Sequence, residues 1–168
     1  MEKIYHYGSP VLREKAEPVT DFGRELRDLA FRMEDTLYEG NGVGLAAPQV
    51  GVSKRFVLVD LSFGDEVDRI LFMANPEILE SEGECVLEEG CLSVPGVFED
   101  VPRAERIRVK FQDLEGNMLE SDAEGYLARI MQHEIDHLNG ILFIDRIDPE
   151  KKLEISDALR EIAEKEDE

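Results

Sequence analysis

The chain has 168 residues, 42% of them hydrophobic, with 39 acids against 19 bases and a formal net charge of -20. That length suits one domain, residues 1–168, burying about two thirds of its unfolded surface around one core. A field this negative repels phosphate backbones and anionic membranes, which excludes direct electrostatic binding to nucleic acid or to a membrane surface.

The first residues, MEKIYHYGSPVL, lack the basic and apolar regions of a secretory leader, and apolar runs such as Phe56 to Val59 fall far short of a membrane span. A soluble cytoplasmic protein is expected. In a reducing compartment Cys85 and Cys91 are then free thiols or metal ligands rather than a disulfide. From Asp21 to Glu39, Phe22, Leu26, Leu29, Met33 and Leu37 recur in steps of three and four, which predicts a helix capped by Asp21 and stopped at Gly40 to Gly42. A glycine-rich loop, GNGVGLAAPQVG, follows, then a strand-like run, RFVLVD. Leu71 to Ala74 reads as another strand, ended by Asn75-Pro76.

Strict alternation over Arg106 to Phe111 puts Ile107, Val109 and Phe111 on one face of a half-exposed strand, and Asp113 to Asn117 reads as a hairpin turn around Gly116. A second helix fits Gly125 to about Leu138, with Gly140 just past its end. A third fits Pro149 to about Lys165, proline being comfortable in a first turn, and the acidic tail EKEDE closes the chain.

The second helix carries QHEIDHLNG, with two of the three histidines. His133 and His137 lie about 40° apart around the axis and one turn apart along it, so both imidazoles reach one ion. Glu134, about 100° from His133, is badly placed to ligate but well placed to touch a water on that ion. This is why H-E-x-x-H suits metal hydrolysis. A catalytic ion needs a third protein ligand and an open position. His6, either cysteine and many carboxylates are candidates, and spacing does not choose among them. A thermolysin-like peptidase would use a later glutamate, such as Glu154 or Glu161. The expected fold class is α+β: mainly antiparallel sheets packed around a central helix carrying H-E-x-x-H, with an N-terminal and a C-terminal helix.

Three short segments, GVGLAAPQ (Gly42 to Gln49), EGCLS (Glu89 to Ser93) and QHEIDHLNG, resemble in order and spacing the signature segments of the bacterial peptide deformylases. The likeness runs from HYGSPVLR near the start to LFIDRID after the helix. It implies a hydrolase that removes the formyl group from the N-terminal formylmethionine of nascent polypeptides and releases formate. It also implies Cys91 as the third ligand beside His133 and His137, Glu134 as the proton carrier, and the Gln49 amide and Leu92 backbone N–H as oxyanion donors. The glycine loop lacks the Gly-Lys-Ser/Thr of a phosphate loop, so nucleotide binding is the weaker reading.

By matching family positions, Val43, Tyr126 and Ile130 line the methionine pocket, while Gly42 and Gly44 let the substrate approach closely and Gly90 also belongs to the substrate-binding set. Glu89 and Arg103 form a supporting pair, and Asp136 orients a ligand. His6 is expected to be structural or exposed, and Cys85 a packed thiol. The resemblance implies one divalent ion, Fe2+ in the cell, with Zn2+, Ni2+ or Co2+ in a purified sample. Some deformylases dock at the ribosome through a basic C-terminal helix, but residues 149–168 hold four bases against eight acids. A transient contact through a protein surface is the form of ribosome association that this charge allows. Two rivals remain: a metallopeptidase cutting internal peptide bonds, and a catalytically silent metal-binding relative.

Overall fold

Among the described residues, seven strands, in chain order, are β1 (Gly44–Ala46), β2 (Phe56–Asp60), β3 (Ile70–Glu82), β4 (Cys85–Cys91), β5 (Val94–Arg103), β6 (Arg106–Gln112) and β7 (Met118–Glu124). The α-helices of the described residues are α1 (Arg24–Glu39), α2 (Gly125–Leu138), α3 (Pro149–Glu154) and α4 (Ser156–Glu166). This computed structural model describes residues 2–62 and 69–167. Met1, residues 63–68 and Glu168, the last residue of the expected acidic tail, lie outside the described residues.

One sheet has the order β1-β2-β3-β6-β7, and β4 and β5 form a separate hairpin. All these ladders are antiparallel. The result is a mixed helix and antiparallel-sheet architecture, as the sequence led us to expect. Strand β2 is buried along its whole length because its alternate side chains serve two cores. Val57 and Val59 meet Ala128, Met131, Ile135 and Leu138 of α2, whereas Phe56 and Leu58 meet Leu26, Leu29, Met33 and Leu37 of α1. A third core joins Val94, Val97 and Val101 of β5 to Phe143 and Ile144 of the 3-10 turn that follows α2 and to Leu159 of α4. Among the described residues no helix is long and apolar enough to cross a membrane.

Three local expectations need correction. Helix α1 starts at Arg24 behind Gly23, and no side chain caps it; Asp21 lies too far upstream to do so. Asn75-Pro76 does not end β3, which continues to Glu82 through a register shift between Ala74 and Glu77. In that bulge Pro76, which has no N–H to give, costs the ladder little. Asn75 takes a left-handed conformation (φ 51°) and bonds through its side chain to Val19 and Gln112. Finally, the last helix is two, broken at Ile155, and the bend brings Ile155, Leu159 and Ile162 onto the β5 core. Asp148 caps α3 through Glu150 N–H.

The end of α4 is tied to the start of the chain. The Glu166 carboxylate accepts from the His6 backbone N–H and from Ser9 Oγ at 2.7 Å, and His6 Nδ1 lies 3.8 Å away. Burial alone would raise the Glu166 pKa, but these donors hold it below the ordinary value. A carboxyl lowered in this way stabilises the fold above its unfolded value of about 4.3 and loses that contribution as pH falls through the folded value. Glu166→Gln should therefore cost about 1–2 kcal/mol near pH 7. In urea titrations at several pH values, the gap to wild type should close below about pH 4.

Candidate metal centre and active site

Helix α2 buries ten of its fourteen residues, including five that are polar or charged. Ala128, Met131, Ile135 and Leu138 form the stripe against the large sheet. Four of the polar residues, Arg129, His133, Asp136 and His137, contact the β4–β5 hairpin, while Glu134 lies against Gly44 of β1; burial favours a partner for each such group.

The hairpin brings Cys91 to this face. It is the last residue of β4 and pairs with Val94 across a tight turn through Leu92 and Ser93, just after a register shift at Gly90. Cys91 Sγ lies 3.4 Å from His137 Nε2, and one ligand atom each from Cys91, His133 and His137 lies within 4.8 Å of the others. A sulfur at about 2.3 Å and a nitrogen at about 2.05 Å from a tetrahedral ion sit about 3.6 Å apart, so this group fits one ion. His133 Nδ1 is bonded to Glu89 Oε1 at 2.8 Å, which leaves Nε2 to ligate. Thiolate with two imidazoles is a donor set for zinc or ferrous iron. Glu154 and Glu161, the carboxylates of the peptidase alternative, are exposed on α3 and α4 and take no part in the group.

Glu134 is buried beside the group, and among the described residues its Oε1 has no hydrogen-bond partner, nor has His137 Nδ1. Burial pushes the Glu134 carboxyl up to about 7, against the pull of His133 and Arg103. That is near the value that serves a group taking and returning a proton at neutral pH. Burial holds His137 below its ordinary value, and His133 next to it adds to the effect. For His133 burial acts downward, but Glu134, Cys91 and Glu89 outweigh it and raise the ring's pKa.

Gln49 lies in a turn of 3-10 helix directly after β1. Its Oε1 accepts from Ala46 N–H at 3.0 Å, which aims its NH2 group at Ser93 Oγ, 3.1 Å away, and at Cys91 Sγ, 3.4 Å away. The first residues of the chain brace both turns. Tyr5 N–H donates to the Gln49 carbonyl and Tyr7 N–H to the Ser93 carbonyl, each at 2.8 Å.

Gln49, Leu92, Cys91, His133 and Glu134 all line one cleft of about 490 Å³. So do Gly42, Val43, Gly44, Gly90, Tyr126, Ile130 and Glu89. Phe98, absent from the sequence reading, also lines it, with its ring where a Gly90 Cβ would be. Gly44 has a second role here: a Cβ on it would lie 2.5 Å from Glu134 Oε2, so its bareness makes room for that carboxylate.

Arg103 and Asp136 lie behind the histidines. Arg103 grips Glu89 with Nε at 2.7 Å and Nη2 at 2.9 Å, and it bonds Asp136 at 2.7 Å. Burial would raise the Glu89 carboxyl, but Arg103 and His133 hold it down at about 2. Asp136 contacts Arg103 and Arg146 rather than a histidine, so its path to His133 runs through Arg103 and Glu89. Arg146 was missed, as were Ser93 and Arg129, which also bonds Glu89. The available signal for Arg129 was a lone arginine in the apolar run GYLARIMQ, one turn before His133. His6 is half-buried against Glu166, and Cys85 is a half-buried free thiol at the start of β4.

The polypeptide deformylase family model matches residues 1–153. The peptide deformylase of Thermotoga maritima is 49% identical over 164 residues, 97% of each chain, and that of Acidobacterium capsulatum is 50% identical over 149 residues, 89% of this chain and 88% of the other. The crystal structure of peptide deformylase from Thermus thermophilus superposes with a TM-score of 0.92 at 45% identity, covering 99% of both chains. Peptide deformylase from Plasmodium falciparum gives 0.93 at 36% identity over 97% and 96%. A thiol and two imidazoles within reach of one ion, a buried carboxylate beside them and this likeness along nearly the whole chain agree: the chain belongs to the polypeptide deformylase family.

Proposed function

We propose that the chain hydrolyses the formyl amide on the N-terminal methionine of nascent polypeptides, releasing formate and a free α-amino group. The observation that carries this is the convergence of Cys91, His133, Glu134 and Gln49 on one cleft. A divalent ion held by Cys91, His133 and His137 would lower the pKa of water and polarise the formyl oxygen. Ferrous iron is the ion we assign in the cell.

Glu134 takes a proton from the attacking water and returns it to the leaving amine, a shuttle that its raised pKa favours. The formyl carbon becomes tetrahedral and its oxygen negative. Gln49 Nε2 and the Leu92 N–H then donate to that oxygen, the glutamine without adding a titrating charge. Gln49→Leu should slow turnover by about two orders of magnitude, with KM for a formyl peptide changed far less. Steady-state kinetics of the variant check this.

Val43, Tyr126 and Ile130 form the methionine pocket with Gly90 beside it, and Gly42 and Gly44 let the peptide backbone come close enough to pair as an added strand. Pairing through main-chain groups reads no side chain after the first, which suits an enzyme acting on most new chains. The same reading makes residues 1–168 one catalytic domain, with the α2 helix as the centre about which both sheets are arranged. It places the protein in the cytoplasm, and its acidic α3–α4 end restricts any ribosome contact to a transient one through protein.

The decisive experiment is formate release from formyl-Met-Ala-Ser by anaerobically purified protein, with elemental analysis of the same sample. Formate together with iron is the expected result. No formate from metal-replete protein, or cleavage of internal peptide bonds instead, would sink the proposal.

A further inference from the structure

Arg129 is 3% exposed and has no part in the chemistry above. Its Nη1 donates to Glu89 Oε2 and, at 2.9 Å, to the Val101 carbonyl; its Nη2 donates to the Cys85 carbonyl at 2.6 Å. One guanidinium thus joins α2 to both strands of the hairpin that carries Cys91. Glu89 is saturated as a result. Its Oε1 accepts from Arg103 Nη2 and faces His133 Nδ1, and its Oε2 accepts from Arg103 Nε and Arg129 Nη1. Arg129 and His133 stand one turn apart on the same helix, so both hold the same carboxylate from one rigid element.

We propose that Arg129 is a positioning residue for the metal group: with Arg103 it clamps Glu89, and through Glu89 it sets the angle of the His133 ring toward Cys91 and His137. The proposal rests on the metal-site reading above, but its readout does not depend on the reaction. A carboxylate with two fixed oxygens cannot rotate about its terminal torsion, so the ring bonded to it is fixed as well. With Arg129 absent, Oε2 keeps only Arg103 Nε, and the hairpin loses its link to the turn of α2 below His133.

The test is a double-mutant cycle on metal affinity, read by competition of Co2+ with a chromophoric chelator and by the cobalt absorption bands, at 25 °C on folded protein. Arg129→Met should weaken Co2+ binding about tenfold and alter the bands, as loss of partners behind a ligand does. In a Glu89→Gln background the same change should add little, because its route to the ion is already cut. A role confined to stability would lower the unfolding temperature and leave the affinity and spectrum alone. A role as a bare positive charge would make binding tighter when the charge is removed. Unchanged or tighter binding in Arg129→Met, or a full extra loss in the double variant, overturns the proposal. Should Arg129→Met fail to fold, Arg129→Lys keeps the charge but not the forked donors, and an affinity equal to wild type then overturns it. Formate release by wild type is measured alongside, so a failure of the deformylase reading shows there while the metal cycle still decides the role of Arg129.

Discussion

Glu134→Ala is expected to lower formate release by about three to four orders of magnitude, the upper part of the range for a positioned proton carrier. Among the described residues, the groups nearest the metal ligands are engaged elsewhere. Gln49 carries no titrating group, Glu89 is held at about 2 by its partners, and His133 and His137 lie where they would hold the ion. Glu134→Gln should lose nearly as much, since it keeps the shape and loses only the ability to take a proton. Neither variant should lose the ion or unfold earlier than wild type, because the carboxylate removed is buried with one oxygen unpartnered. Rate constants, metal content and melting temperature measured on one preparation separate these effects. Activity within tenfold of wild type in Glu134→Ala would remove it from the reaction.

Cys91→Ala should empty the site. Loss of a partner behind a ligand weakens binding by about 10–100-fold, and loss of a ligand itself should exceed about 100-fold. Protein passed through a desalting column should then carry little metal, and formate release should fall with it. A second signature follows from linkage. An ion that binds only the folded chain raises stability by about 2.7 kcal/mol when present at 100 times its dissociation constant, so wild type should melt later as Co2+ is added. Cys91→Ala should not respond at the same concentrations. Retention of the ion and of activity would instead point to a carboxylate ligand of the peptidase kind.

Much of this site is legible in the sequence because its parts are local. His133, Glu134 and His137 share five consecutive residues on a helix whose limits, Gly125 and Leu138, follow from apolar periodicity and from Gly140 beyond its end. The alternation in β6 reads equally well, since Ile107, Val109 and Phe111 are its buried residues. The bulge at Asn75-Pro76 does not read: proline usually ends a strand, and only Val19 and Gln112, far away in the chain, show why this strand continues. The bend at Ile155 is set likewise by a core that local pattern cannot reveal.

What the sequence determined alone was chemistry that depends on residue type and short spacing: two imidazoles on one helix face, a carboxylate beside them, a cysteine in a turn and a glutamine after a glycine loop. The tertiary structure decided which distant groups meet them. It brought Cys91, not Glu154 or Glu161, within reach of the two histidines, aimed the Gln49 amide by its bonds to Ala46 and Ser93, and gathered Glu89, Arg103, Arg129 and Asp136 into one buried network with Arg146 at its exposed edge. The reason is physical. A helix fixes neighbours within about two turns, but burying a charge requires a partner from any part of the chain that packing brings near, and only the folded chain specifies which.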